Sequence, residues 1–130
     1  MPGIIAVDLD GTLAEYDGWH GEGYIGPPVP RMVRTVRGWL DAGREVVIFT
    51  ARVSTVGRVS PEVPVELTAE RAEAQRRAIE AWCLKHLGVV LPVTCEKSYE
   101  FEQIWDDRAV QVIPNTGYTI SEAAQWGGGV

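Results

Sequence analysis

Asp8 and Asp10 follow the apolar run Ile4-Ile5-Ala6-Val7 and are separated only by Leu9; they are the first residues whose types and spacing could do chemistry. The run is short and apolar throughout, and a glycine lies just beyond it, which predicts a buried strand of a parallel sheet. Side chains alternate along a strand, so two carboxylates at i and i+2 can share one site. Buried carboxylates are costly unless a cation or hydrogen bonds compensate them, so this pair calls for a partner. Gly11 lets the chain turn sharply or lets a ligand approach the backbone. Two plainer readings exist, a hairpin turn at Asp10-Gly11 and a calcium loop. The residues Ala14-Glu15-Tyr16-Asp17-Gly18 make a poor returning strand. A helix–loop–helix calcium site needs a third oxygen ligand ahead of its glycine and a helix in front, and the sequence has neither.

The elements that must position these acids follow in order. Residues 14–29 are rich in glycine and carry Tyr16, Trp19, His20 and Tyr24, which predicts a loop over the carboxyl end of the first strand, the usual ligand side of an open α/β sheet. His20 reads as a loop residue and not a catalytic base. Pro30 suits the first turn of a helix carrying Met32, Val33, Val36, Trp39 and Leu40 at helical spacing, and Gly43 ends it. Glu45–Thr50 predicts a second buried strand, in parallel with the first through a right-handed crossover. A second loop spans residues 52–67, and Arg58 lies within it. Thr68 can cap a helix over about Ala69–Leu87 with Ala72, Ile79, Trp82, Cys83 and Leu87 in one stripe; Gly88 stops it, and His86 suits the helix dipole. Val89–Val93, Glu102–Trp105 and Ala109–Ile113 predict the third, fourth and fifth strands. Lys97 falls in the loop after the third, Asp106-Asp107 at the end of the fourth, and residues 127–130 form a flexible tail.

At 130 residues the chain suits one domain, spanning about residues 1–126, with a core that needs no staples. Hydrophobic content of 45% with 23% charged residues is ordinary for a soluble protein. No stretch approaches the roughly 20 apolar residues of a membrane span, and the N-terminus lacks a basic leader, so a cytoplasmic protein without membrane contact is expected. Cys83 and Cys95 have no metal or redox spacing and read as reduced core residues. The net charge of −6 argues against binding along nucleic acid.

Asp8-x-Asp10, Thr50, Lys97 and Asp106-Asp107 occur in this order, three of the four at strand ends. That ordered set resembles the motifs of the haloacid dehalogenase-like hydrolases, most of which are magnesium-dependent phosphatases, and it covers nearly the whole chain. The resemblance implies that Asp8 is the nucleophile and Asp10 the general acid/base. It also implies catalytic roles for Thr50 and Lys97, and substrate contacts at Gly11, Thr12, Thr50, Ala51, Arg52 and Lys97. Magnesium would be held by Asp8, Asp106, Asp107 and the backbone carbonyl of Asp10, with at least one of Asp106 and Asp107 bound directly. The physical chemistry agrees. A phosphoryl group in transit carries negative charge on three oxygens, so its transfer needs positioning and positive potential. Carboxylates around a hard divalent ion, a hydroxyl at Thr50 and a compact cation at Lys97 supply both.

The expected architecture is a three-layer α/β/α sandwich. Its mostly parallel, Rossmann-like sheet has the order 5-4-1-2-3, and the cap domain of many relatives is absent. The expected function is hydrolysis of a phosphomonoester through an aspartyl-phosphate. The alternatives are a phosphotransferase or dehalogenase of the same fold, and a phosphate-binding protein without turnover. Asp10 disfavours the dehalogenase, because relatives that cleave carbon–halogen bonds lack this acid. Without a cap, either a neighbouring subunit closes the site, as in a homo-oligomer, or the substrate is large and only its phosphorylated end enters. The phosphatase half of polynucleotide kinases looks similar around Arg52 and Asp106-Asp107-Arg108. That similarity implies a nucleotide or the phosphorylated end of a nucleic acid as substrate, besides a phosphorylated small molecule. The plainer reading of Arg52 is a cation paired with a local carboxylate.

Overall fold

In the computed structural model, which describes residues 3–57 and 66–125, a parallel sheet forms around the first strand. Strands β1 (Ile4–Val7), β2 (Val46–Phe49), β3 (Val93–Thr94) and β4 (Phe101–Trp105) lie in the order β3-β2-β1-β4. The pairing register sets Val7 beside Ile48 on one side and Trp105 on the other. This is an α/β fold, and the expected order of the first four strands is the observed one.

The crossovers are helices α1 (Pro30–Asp41) and α2 (Ala69–Leu87), with bounds close to those the caps predict. Pro30 occupies the first turn of α1. Thr68 caps α2 by accepting the Arg71 N–H, and Gly88 ends it at φ 81°, a left-handed conformation that glycine adopts without strain. Both helices pack on one face of the sheet. There Ile5, Val7, Val46, Ile48 and Val93 form a single buried cluster with Val36 of α1 and Ile79, Trp82, Cys83 and Leu87 of α2. Burying an aliphatic side chain of this size contributes roughly 1.5–3 kcal/mol, so this face anchors the fold.

Two expectations need correction. The fifth strand over Ala109–Ile113 does not form; Val112 makes only an isolated antiparallel bridge to Thr119. Pro114 cannot extend a ladder and Asn115 takes a positive φ of 67°, so the chain turns there. The third strand, expected over Val89–Val93, begins where it was expected to end, because Pro92 lacks an N–H and Val89 and Val90 remain exposed. The last helix, α3 (Ile120–Ala124), is capped by Thr119 and buries Ala123.

The two inserts are loops, as expected. Residues 14–29 close at their base, where Ala14 bridges Pro28, Glu15 N–H donates to the Pro27 carbonyl at 2.8 Å and Val29 N–H to that of Leu13 at 2.8 Å. Of the second insert, a short 3₁₀ turn (Ala51–Val53) is described, while Arg58 and the tail at 127–130 lie outside the described residues. No described helix is long and apolar enough to cross a membrane.

Candidate active site

Parallel pairing brings the carboxyl ends of β2, β1 and β4 side by side, and each releases its polar residues at that edge. After β1 the chain makes a compact turn in which the Leu9 carbonyl accepts from the N–H groups of Thr12, Leu13 and Ala14. Leu9 and Leu13 are fully buried. With the leucine between them held in the core, Asp8 and Asp10 are turned outward together. The β1–β4 pairing continues past the strands, with Asp8 N–H donating to the Trp105 carbonyl at 2.8 Å, and this sets Asp106 next to Asp8.

The result is a cluster in which Asp8, Asp106 and Asp107 each offer a carboxylate oxygen within 4.8 Å of the others. Thr12 ties the two strand ends together. Its hydroxyl accepts the Asp107 N–H at 3.0 Å and lies 3.2 Å from Asp107 Oδ1, with Asp8 Oδ2 at 3.4 Å as the alternative acceptor. Gly11, at φ 89°, passes so close that a Cβ there would lie 2.5 Å from Asp107 Oδ2. Asp106 accepts the Arg108 N–H at 2.8 Å. Burial, and then the negative charge of Asp106, push the Asp8 carboxyl up to about 7. Three crowded carboxylates, all hard oxygen donors, fit a hard divalent cation, whose charge relieves that crowding.

Asp10 is held apart from this cluster. The Arg52 guanidinium donates to both of its oxygens, Nε to Oδ2 and Nη2 to Oδ1, each at 2.7 Å. Arg52 Nη1 donates to Gln75 Oε1 at 3.2 Å, and Gln75 Nε2 donates to Glu22 at 3.0 Å. Glu22 also accepts two bonds from Arg71, at 2.9 and 3.2 Å. A chain of bonds thus runs from Asp10 through the 3₁₀ turn and α2 to the first loop. Arg52 is thus paired with a local carboxylate, and it also lines the cavity that holds Asp8. Gln75, Glu22 and Arg71 were not legible as site residues. The signal was present in Gln75, a polar residue on the same helical stripe as Ala72, Ile79 and Trp82, and it is buried.

Thr50 is buried, and its hydroxyl accepts the Arg52 N–H at 3.2 Å, which leaves the hydroxyl proton free to donate. The Arg52 amide is thereby used within the protein. Thr50, Ala51, Arg52, Asp8, Asp10, Asp106 and Asp107 line one cavity of about 450 Å³. Arg108 lines it too, and its guanidinium has no partner among the described residues. Lys97 is not brought to this group. It is exposed, two residues beyond Cys95, which does line the cavity, and it makes no described hydrogen bond or ion pair.

No protein-family model matches this chain, and no curated protein matches it. Among solved structures it is similar to a conserved protein coded by a locus of Bacteroides thetaiotaomicron, with 22% sequence identity and a TM-score of 0.53 over 88% of this chain and 84% of that one. At that identity the likeness shows the fold alone.

Proposed function

We propose that this protein is a magnesium-dependent phosphatase of the haloacid dehalogenase-like kind, hydrolysing a phosphomonoester through an aspartyl-phosphate on Asp8. The observation that carries this is the convergence of Asp8, Asp106 and Asp107 beside a fourth acid, Asp10, that Arg52 keeps separate. Two carboxylates in different surroundings suit two different roles. Asp8 attacks phosphorus, so that its oxygen–phosphorus bond forms as the bond to the leaving oxygen breaks and the proton of Asp10 passes to that oxygen. A water oxygen then bonds to phosphorus, the Asp8–phosphorus bond breaks, and the proton released by water returns to Asp10. Asp8, Asp106 and Asp107 are the residues that would hold magnesium, which when bound offsets the repulsion between carboxylate and phosphate.

Thr50 donates its free hydroxyl proton to a phosphoryl oxygen, and Arg108 supplies positive charge from the opposite strand end. Arg52 has a double part. A carboxylate accepting two guanidinium bonds has no proton to give. An arriving phosphate offers Arg52 a second anion, one bond to Asp10 opens, and Asp10 is released to carry a proton. Cys83 and Cys95, neither in a disulfide, support placing the enzyme in the reducing cytoplasm.

Release of phosphate from a panel of phosphomonoesters, measured with and without magnesium, tests the proposal. Metal-dependent turnover is expected, and Asp8→Asn should reduce it by several orders of magnitude with an unchanged far-UV spectrum. Near-normal turnover by Asp8→Asn would overturn the nucleophile assignment. Phosphate binding by the wild type with no turnover of any ester would identify a phosphate-binding protein instead.

A further inference from the structure

We infer that a second cavity, beneath residues 15–27, is the subsite for the leaving group, and that it takes a single uncharged nucleoside. This rests on the phosphatase reading for its orientation, although the cavity can be probed without turnover. It measures about 390 Å³ and adjoins the carboxylate cavity, sharing Asp10, Tyr16, Arg52 and Arg71 with it. Asp10 lines both, whereas Asp8, Asp106 and Asp107 line only the first. In an in-line displacement the leaving oxygen departs opposite the attacking group. With Asp8 attacking and Asp10 protonating, the rest of the substrate lies on the side of Asp10 away from Asp8. That side is this cavity.

Its charge selects what can enter. Among the described residues, each arginine on its wall already has an anion, Arg52 holding Asp10 and Arg71 holding Glu22, and His20 is hydrogen-bonded to Asp17. The carboxylate cavity differs, because Arg108 there has no partner among the described residues. A second phosphate would therefore find no unpaired arginine among the described residues beneath the loop, which argues against nucleoside diphosphates and against a continuing nucleic-acid strand. The expected nucleic-acid end is thereby narrowed to a mononucleotide. The side chain of Glu15, by contrast, has no partner among the described residues, and a free carboxylate accepts hydrogen bonds from hydroxyl groups, as acidic residues do from ribose in dinucleotide sites.

The rest of the wall is aromatic. Tyr16, Trp19 and Tyr24 are 49%, 53% and 48% exposed, a large ring surface to leave open in one loop. Flat rings present faces on which a base can stack. A quaternary ammonium ion is the other occupant that rings and a carboxylate recognise. Two observations weigh against it. The volume is that of a site for a whole small molecule, which a compact cation would leave largely empty. His20 and Tyr24 already pack on each other, centroids 4.9 Å apart, and so form one wall and not a closed box of faces.

The test is direct binding to the Asp8→Asn protein, measured by calorimetry with adenosine, adenosine 5′-monophosphate, adenosine 5′-diphosphate, choline and inorganic phosphate. Adenosine should bind without phosphate or metal. Trp19→Ala should weaken it about tenfold, Trp19→Phe should restore most of the loss, and inorganic phosphate binding should be unchanged in both. Glu15→Gln should weaken adenosine more than 2′,3′-dideoxyadenosine. The monophosphate should bind at least as tightly as the diphosphate. Tighter binding of the diphosphate, stronger binding of choline than of adenosine, or adenosine binding indifferent to Trp19→Ala would each overturn the inference. Adenosine binding with these dependences, in a protein that hydrolyses no phosphomonoester, would uphold the nucleoside site and defeat the phosphatase reading.

Discussion

Asp8 and Asp10 lie two residues apart, yet their surroundings differ enough to separate their behaviour. Asp10 sits in a two-bond pair with Arg52, while Asp8 sits among like charges that burial makes harder to bear, so its carboxyl is pushed up to about 7. A carboxyl whose pKa is raised by folding binds its proton more tightly in the folded state. Its contribution to stability is fully present below the unfolded value, near 4, and is lost as pH rises through 7. In metal-free protein, Asp8→Asn removes that loss. The variant should gain on wild type by about 1–2 kcal/mol between pH 5 and pH 8, an amount already reduced for the solvent next to the site. Urea unfolding in chelator at the two pH values measures it. A difference that stays constant, or moves the other way, would show that Asp8 is not strained by its neighbours.

At the scale of elements, the first loop is fastened to α2 through Arg71, Gln75 and Trp82. Trp82 Nε1 donates to the Gly26 carbonyl at 3.0 Å beneath the loop. Gly26 has no room for a side chain, since a Cβ there would lie 2.1 Å from the Glu15 carbonyl oxygen. Gln75 joins the same loop to Arg52 through Glu22. Gln75→Leu keeps the volume but leaves Arg52 and Glu22 each one bond short. It should lower unfolding stability by about 1–2 kcal/mol, because groups stripped of partners inside a protein bear their desolvation penalty. It should also speed amide hydrogen exchange across residues 15–27 relative to β1 and β2, whose exchange reports the whole fold. Unchanged exchange in the loop would mean that Trp82, the Arg71–Glu22 pair and the paired base hold it without Gln75.

For the whole molecule, the acid cluster joins parts far apart in the chain, Asp8 near its start and Asp106-Asp107 near its end. A cation held there binds only the folded arrangement, and so stabilises it by mass action. At a hundredfold excess over its dissociation constant, magnesium should add about 2.7 kcal/mol to the unfolding free energy. Asp107→Asn should reduce that gain. Thermal melts with and without millimolar magnesium decide the matter, and a melting temperature indifferent to the metal would count against the cluster as a cation site.

The sequence by itself determined the α/β class, both long helices with their caps, and the strand ends that carry Asp8, Asp10, Thr50, Asp106 and Asp107. These features are local. Alternation, helical spacing, Thr68 and Gly88 act over a few residues and survive any arrangement of the remainder. Only the tertiary structure decided the rest. The segment 109–113 has the composition of a strand but turns back at Pro114 and Asn115, because pairing depends on what lies across the gap. By sequence Arg52 suits either a substrate contact or a pair with a local carboxylate, and Lys97 suits the cation of the site. Which guanidinium finds which carboxylate is set by contacts between distant segments. Folding gave Arg52 to Asp10, brought Arg108 to the cavity wall, and left Lys97 exposed outside it.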